Sequence, residues 1–116
     1  MIKIHYPNGT IEITRKVLAS LVGYAVTNCY GVAGMVSRNS TDGISELLKV
    51  NTIDRGVRVW VEDACLSVDL HIMVTYGVNL KAITESIIHK VRYCVENATG
   101  FKVKTVNVYV DAMKID

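Results

Sequence analysis

A chain of 116 residues is enough for one domain that buries about two-thirds of its unfolded surface, so neither disulfides nor a metal are needed to hold a core. Thirteen basic and eleven acidic side chains leave a formal charge of +2, without the basic excess or local cluster that marks a nucleic-acid binder. Three cysteines, Cys29, Cys65 and Cys94, are an odd number without CxxC spacing, which argues against a secreted disulfide framework and for reduced thiols. The opening MIKIHYPNGTIEIT lacks the apolar region of a signal peptide, and no apolar run approaches the roughly 20 residues of a membrane span.

Ile2, Ile4 and Tyr6 alternate with polar residues, Pro7-Asn8-Gly9 supplies a tight turn, and Ile11 and Ile13 alternate beyond it. Residues 2–13 are therefore expected to form a small hairpin or a short leading strand. Thr14 is a good N-cap for a helix from about Arg15 to Cys29, where Val17, Leu18, Leu21, Val22, Ala25, Val26 and Cys29 make one apolar stripe. Gly31 suits the left-handed position after it. A short strand over 32–36 follows, and Thr41 or Asp42 is placed to cap a short helix through Ser45-Glu46-Leu47-Leu48.

The clearest pattern comes next. Val57, Val59 and Val61 share one parity, as do Leu66, Val68, Leu70, Ile72 and Val74. A two-residue turn at Asp63-Ala64 sets Val61 opposite Leu66, Val59 opposite Val68 and Val57 opposite Leu70. The same register sets Arg58 across from Asp69, which predicts a surface ion pair, and Trp60 across from Ser67.

Asn79 caps a second helix with Leu80, Ile83, Ile87, Ile88, Val91, Cys94, Val95 and Ala98 on its buried side. Lys81–Glu85 and Arg92–Glu96 are spaced for ion pairs on its wet side. Gly100 closes that helix, and Val106, Val108 and Val110 form a last strand. Phe101 and Val103 have the opposite parity, which predicts a bulge or an irregular entry there. The order β-α-β-(α)-β-β-α-β, with two main amphipathic helices that each need a cover, gives an α+β two-layer sandwich on a mixed β-sheet, one domain over 1–116.

Candidate chemistry is sparse. His5, His71 and His89 and the cysteines show no metal-ligand spacing, so neither a metal nor a cofactor is expected. Cys29 and Cys94 lie on helix stripes and read as packed thiols, while Cys65 begins a strand beside a turn. No serine stands in a G-x-S-x-G context, and no catalytic constellation is visible. Gly31-Val32-Ala33-Gly34 matches the GXXG loop of KH domains but has no basic residue to meet phosphate. What remains is a surface. Parity puts Arg58, Trp60, His71 and Met73 together on the non-core face of the central hairpin, a composition enriched at protein interfaces. The competing reading is that another element covers this face as a second small core.

The run Tyr30-Gly31-Val32-Ala33-Gly34-Met35 after an amphipathic helix resembles a recurrent element of the alkaline shock protein family, envelope-stress-response proteins of Gram-positive bacteria. So does Tyr76-Gly77-Val78-Asn79-Leu80 before a Val/Ile-rich helix, and Gly100 with Val106-Asn107-Val108-Tyr109-Val110 completes the pattern. The resemblance spans about residues 10–111 and is strongest to short stand-alone members. It implies a cytoplasmic α+β protein without established enzymatic activity, peripheral at the inner face of the membrane through a membrane-anchored partner or contacting a kinase-like one. Its motif residues are structural glycines and valines, so it transfers no site.

The first expectation is a non-enzymatic adaptor or scaffold acting by protein–protein contact, with self-association into a homo-oligomer. Two alternatives stand beside it: a regulator of fatty-acid metabolism that binds a kinase partner or an acyl ligand, and a KH-like RNA-binding module.

Overall fold

The computed structural model describes residues 2–36 and 56–115. Strands β1 (Ile2–Tyr6) and β2 (Gly9–Ile13) pair antiparallel as a separate hairpin, with Ile2 opposite Ile13. The hairpin form is the one the Pro7-Asn8-Gly9 turn favours, so the element order opens with two strands where the sequence order allowed one. Buried Ile2 joins the main core, and Ile13 packs against it.

Helix α1 (Arg15–Thr27) starts where expected, with the Thr14 hydroxyl accepting from the Val17 N–H at 3.1 Å. It stops earlier than its apolar stripe. The Asn28 side-chain amide and the Thr27 hydroxyl both donate to the Tyr24 carbonyl, at 2.8 and 3.1 Å, and Asn28 is the C-cap. These local bonds compete with the helical ladder and end it. Gly31, at φ +89, therefore serves as the way into strand β3 (Val32–Met35) and not as the helix cap. Val17, placed on the stripe by spacing, is exposed.

Strands β4 (Val57–Glu62) and β5 (Cys65–Thr75) form the central hairpin in the register read from the sequence, from Val57↔Leu70 to Glu62↔Cys65. Asp63 and Ala64 both have positive φ, +53 and +63, as a primed two-residue turn requires. Helix α2 (Leu80–Thr99) is capped by Asn79, whose side chain accepts from the Ala82 N–H at 3.0 Å, and by left-handed Gly100. Its buried stripe runs Ile83, Ile87, Val91, Val95 and Thr99. Leu80 and Ala98, assigned to that stripe by spacing, are exposed, and Cys94 is half-buried. Thr99 can be buried because its hydroxyl donates to the Val95 carbonyl at 2.7 Å and accepts from the Phe101 N–H at 3.1 Å.

Strand β6 (Val103–Lys114) runs parallel to β5 along its whole length. Its register slips twice, leaving Lys104 and Asp111 as the extra residues. The first slip is the bulge foreseen from the parity change, and the second was not foreseen. The result is α+β, with a mixed sheet and both helices packed on one face. Leu66, Val68, Leu70, Ile72 and Val74 of β5 are all fully buried there, with Leu18, Val22 and Val26 of α1 and Ile87 and Val91 of α2.

One arrangement was invisible to local patterning. β3 and β4 lie end to end on the same edge of β5. β3 pairs with Ile72–Val74 and β4 with Cys65–Leu70, both antiparallel. His71 bridges them: its carbonyl accepts from the Val36 N–H at 2.9 Å, and its N–H donates to the Gly56 carbonyl at 2.8 Å. The chain leaves this edge at Val36 and returns to it at Gly56. The short helix expected over 45–48 lies outside the described residues.

Candidate interaction face

Because side chains alternate across a strand, the pattern that builds the core also loads the opposite face, on which neither described helix packs. Registers place that face in rows: Trp60–Ser67–Thr105, then Arg58–Asp69–Asn107, then His71–Tyr109, then Gly34–Met73–Ala112. The four residues named from parity thus follow one another down the sheet. Arg58 is exposed, while Trp60, His71 and Met73 are half-buried. Met73 stands between Gly34 and Ala112, two residues too small to cover it.

The expected Arg58–Asp69 ion pair does not form. The Arg58 guanidinium carbon instead lies 5.1 Å from the Trp60 ring centre, a cation–π geometry. Asp69 accepts from the Asn107 amide at 2.9 Å, a partner supplied by the parallel strand. The Trp60 indole N–H donates to Glu62 at 3.2 Å, and Lys104 Nζ reaches Glu62 at 3.2 Å and Asp63 at 2.7 Å. The indole bond and then Lys104 hold the Glu62 carboxyl below its usual range, and Lys104 does the same to Asp63. The bulge at Lys104 turns that lysine toward the hairpin tip. The pairs Lys81–Glu85 and Arg92–Glu96 are also absent among the described residues; Glu96 accepts instead from the Val103 N–H at 2.9 Å, and Arg92 donates to the Lys104 carbonyl at 3.5 Å.

His71 is the polar centre of the face. Its ring stacks on Tyr109 with centroids 4.8 Å apart and planes 13° from parallel. Its Nδ1 lies 2.7 Å from Asp111 Oδ2, and a carboxylate there makes Nδ1 the donor. Asp111 is the bulged residue of β6, so the second bulge exists where it supplies this bond. Among the described residues no hydroxyl or thiol is hydrogen-bonded to His71. Ser67, beside Trp60, is fully buried, and its hydroxyl has no partner among the described residues. Tyr109, Asp111 and Asn107 were missed from sequence because which strand lies beside β5, and in which direction, is not encoded in local alternation.

The other candidates disperse. His5 sits in the β1–β2 hairpin near Thr10, and His89 is on the exposed side of α2. No three His, Cys, Asp or Glu side chains converge on a metal position among the described residues. Burial raises the pKa of the Cys29 thiol, which donates to the Ala25 carbonyl at 3.5 Å. The GXXG reading falls: Val32–Met35 is a strand paired with β5, and Gly31 packs against Ile83 and Val78 where a Cβ would overlap the Ile83 side chain. On the helix side of the sheet Leu66, Val68, Leu70, Ile72 and Val74 are fully buried.

These features define an α+β domain whose sheet carries, on the face away from α1 and α2, a set of aromatic, charged and flexible apolar groups. A sequence model of the alkaline shock protein 23 family, of cell envelope-related function, matches residues 3–115, and the chain belongs to that family. It is 34% identical to the uncharacterized protein YloU of Bacillus subtilis over 98% of this chain and 96% of that one. It is 33% identical to the uncharacterized protein Spy1614 of Streptococcus pyogenes over 98% of this chain and 95% of that one. Among solved structures it is similar in fold to MamM-CTD, with a TM-score of 0.53 at 13% identity over 87% of this chain and 100% of that one. The manganese form of a MamM CTD gives 0.51 at 14%, over 85% and 99%. No helix among the described residues is long and apolar enough to cross a membrane.

Proposed function

We propose that this protein is a non-enzymatic adaptor of the cell envelope stress response, working in the cytoplasm by protein–protein contact through the sheet face that points away from α1 and α2. The observation that carries this reading is the Gly34–Met73–Ala112 row beside the stacked His71 and Tyr109. A flexible thioether between two small residues is an adaptable apolar seat, and the aromatic and Arg groups around it are those that anchor interfaces. Membership of a family with envelope-related function supports the setting. A membrane-anchored protein is the partner in this reading, and self-association is a second use of the same face. The acyl-ligand alternative would need room beside β5 side chains that are fully buried.

The test is cross-linking of the protein at its native level, with Met73→Glu and Trp60→Ala as face variants. A stoichiometric adduct, with another protein or a second copy, is expected for the native chain and lost in both variants while their melting transitions stay cooperative. An adduct unaffected by either substitution, or none at all, would overturn the reading.

A further inference from the structure

β4 has only one strand partner among the described residues. It pairs with β5, and no described strand pairs with its other edge. The phase of that pairing is fixed by the bond from the His71 N–H to the Gly56 carbonyl. Hydrogen-bonded pairs alternate along an antiparallel ladder, so Arg58 and Trp60 bond to β5, while Val57, Val59 and Val61 direct their N–H and C=O groups outward. An outward row of this kind is a template for one more strand. The edge also opens into a groove of about 430 Å³ between β4 and the first turns of α1. Arg15 and Lys16 line one wall, Arg58 and Trp60 the other, and Ala19 the floor. None of these three cations is paired with an acidic side chain among the described residues, and α1 has no acidic residue in its first turn.

We infer that this edge is a docking site for an extended acidic segment of a partner protein, added to β4 as a further strand. Backbone bonds to Val57, Val59 and Val61 supply the register. Alternate side chains of the added strand then face Arg15 and Lys16 on the helix side, and Arg58 with the Trp60 ring on the other. Charge selects the occupant, because three cations around one edge oppose a basic segment and attract an acidic one. The inference rests on the protein-contact reading above and shares Arg58 and Trp60 with it, but Val59 belongs to the edge and Met73 to the face, so each can fail alone.

Trp60 is the sole tryptophan of the chain, so intrinsic fluorescence reports on the groove directly. The probe is a blocked peptide of about eight residues that alternates glutamate and valine, with a lysine-for-glutamate counterpart as control. The glutamate peptide is expected to shift Trp60 emission saturably below about 1 mM, with affinity falling as salt rises, and the lysine peptide to leave it unchanged. Val59→Pro removes an outward N–H that β5 does not use, so it should keep the fold and abolish the shift. If Val59→Pro does not fold, the Lys16→Glu/Arg58→Glu variant carries the test, and it should lose the glutamate peptide by at least about tenfold. No shift with the glutamate peptide, equal response to both peptides, or unchanged binding in the folded Val59→Pro protein would overturn the inference. A free protein that is dimeric in sedimentation and becomes monomeric on Val59→Pro would also overturn it, since a second copy would then occupy the edge. Loss of the cross-linked partner in Met73→Glu but not in Val59→Pro would leave the face reading standing and remove this one.

Discussion

Replacing Gly56 with alanine tests the junction at which β3 and β4 share one edge of β5. Gly56 has φ +78, a region that costs an L-residue about 1–2 kcal/mol. An added Cβ would also overlap the Val36 carbonyl oxygen and stand 2.9 Å from the His71 carbonyl oxygen, both backbone atoms that cannot rotate away. Relief requires Val36 and Gly56 to separate, which loosens the 2.9 Å bond from Val36 N–H and the 2.8 Å bond to Gly56 O. At about 0.5–1.5 kcal/mol net for each bond, the total comes to about 3 kcal/mol, a large share of a typical domain's stability. Gly77→Ala is the matched control. Gly77 has φ +92 but nothing within 4 Å of a Cβ, so it carries the backbone cost alone, about 1 kcal/mol. Urea unfolding followed by circular dichroism separates the two. With a slope of about 1.5 kcal/mol per molar, Gly56→Ala should lower the midpoint by about 2 M and Gly77→Ala by less than about 1 M. Equal shifts for the two variants would refute the close-approach argument and leave only the conformational one.

Three further substitutions probe the face and its edge. Ala64 sits at φ +63 in the second position of a primed turn, so Ala64→Gly should stabilise the protein by about 1 kcal/mol in the same urea titration. Ser67→Ala removes a fully buried hydroxyl without a partner and should raise the melting temperature by a few degrees, about 1 kcal/mol; a fall would mean that the hydroxyl is bonded. Glu62 and Asp63 have carboxyl pKa values held below the ordinary 4.5 and 3.8, so their contribution to stability is present above those values and is lost as pH falls through the lower folded ones. Lys104→Ala should flatten that acid-side decline, most of all for Asp63, whose carboxyl depends chiefly on Lys104; an unchanged pH profile would rule the network out as its source.

Where the chain pairs with itself locally, the sequence was legible. The Asp63-Ala64 turn and the alternation on either side admit one register that satisfies both faces, and the structure adopts it. Thr14, Asn79 and Gly100 cap as their side chains and backbone dictate, because capping involves only neighbours. The stripe of α2 was less legible at its ends. Spacing favours Ala98 over Thr99, but the Thr99 hydroxyl finds two backbone partners and its methyl group is then free to pack. Long-range choices were not legible. Nothing in Arg58 or Asp69 reveals that Trp60 and Asn107 will compete for them, since Asn107 arrives with a parallel strand from the far side of α2. The face itself was therefore anticipated through Arg58, Trp60, His71 and Met73, while the Tyr109 and Asp111 half of its polar centre came only with the topology.

The two halves of the edge strand have a consequence for how this fold accommodates change. Val36 and Gly56 both bond His71, so the segment between them begins and ends at nearly the same point, and the register of β4 on β5 continues that of β3. Both half-strands keep step with β5 through one residue, and neither needs the other to set its register. A change at His71 or its two backbone partners is therefore felt by β3 and β4 together, beside the candidate face that the same residue centres.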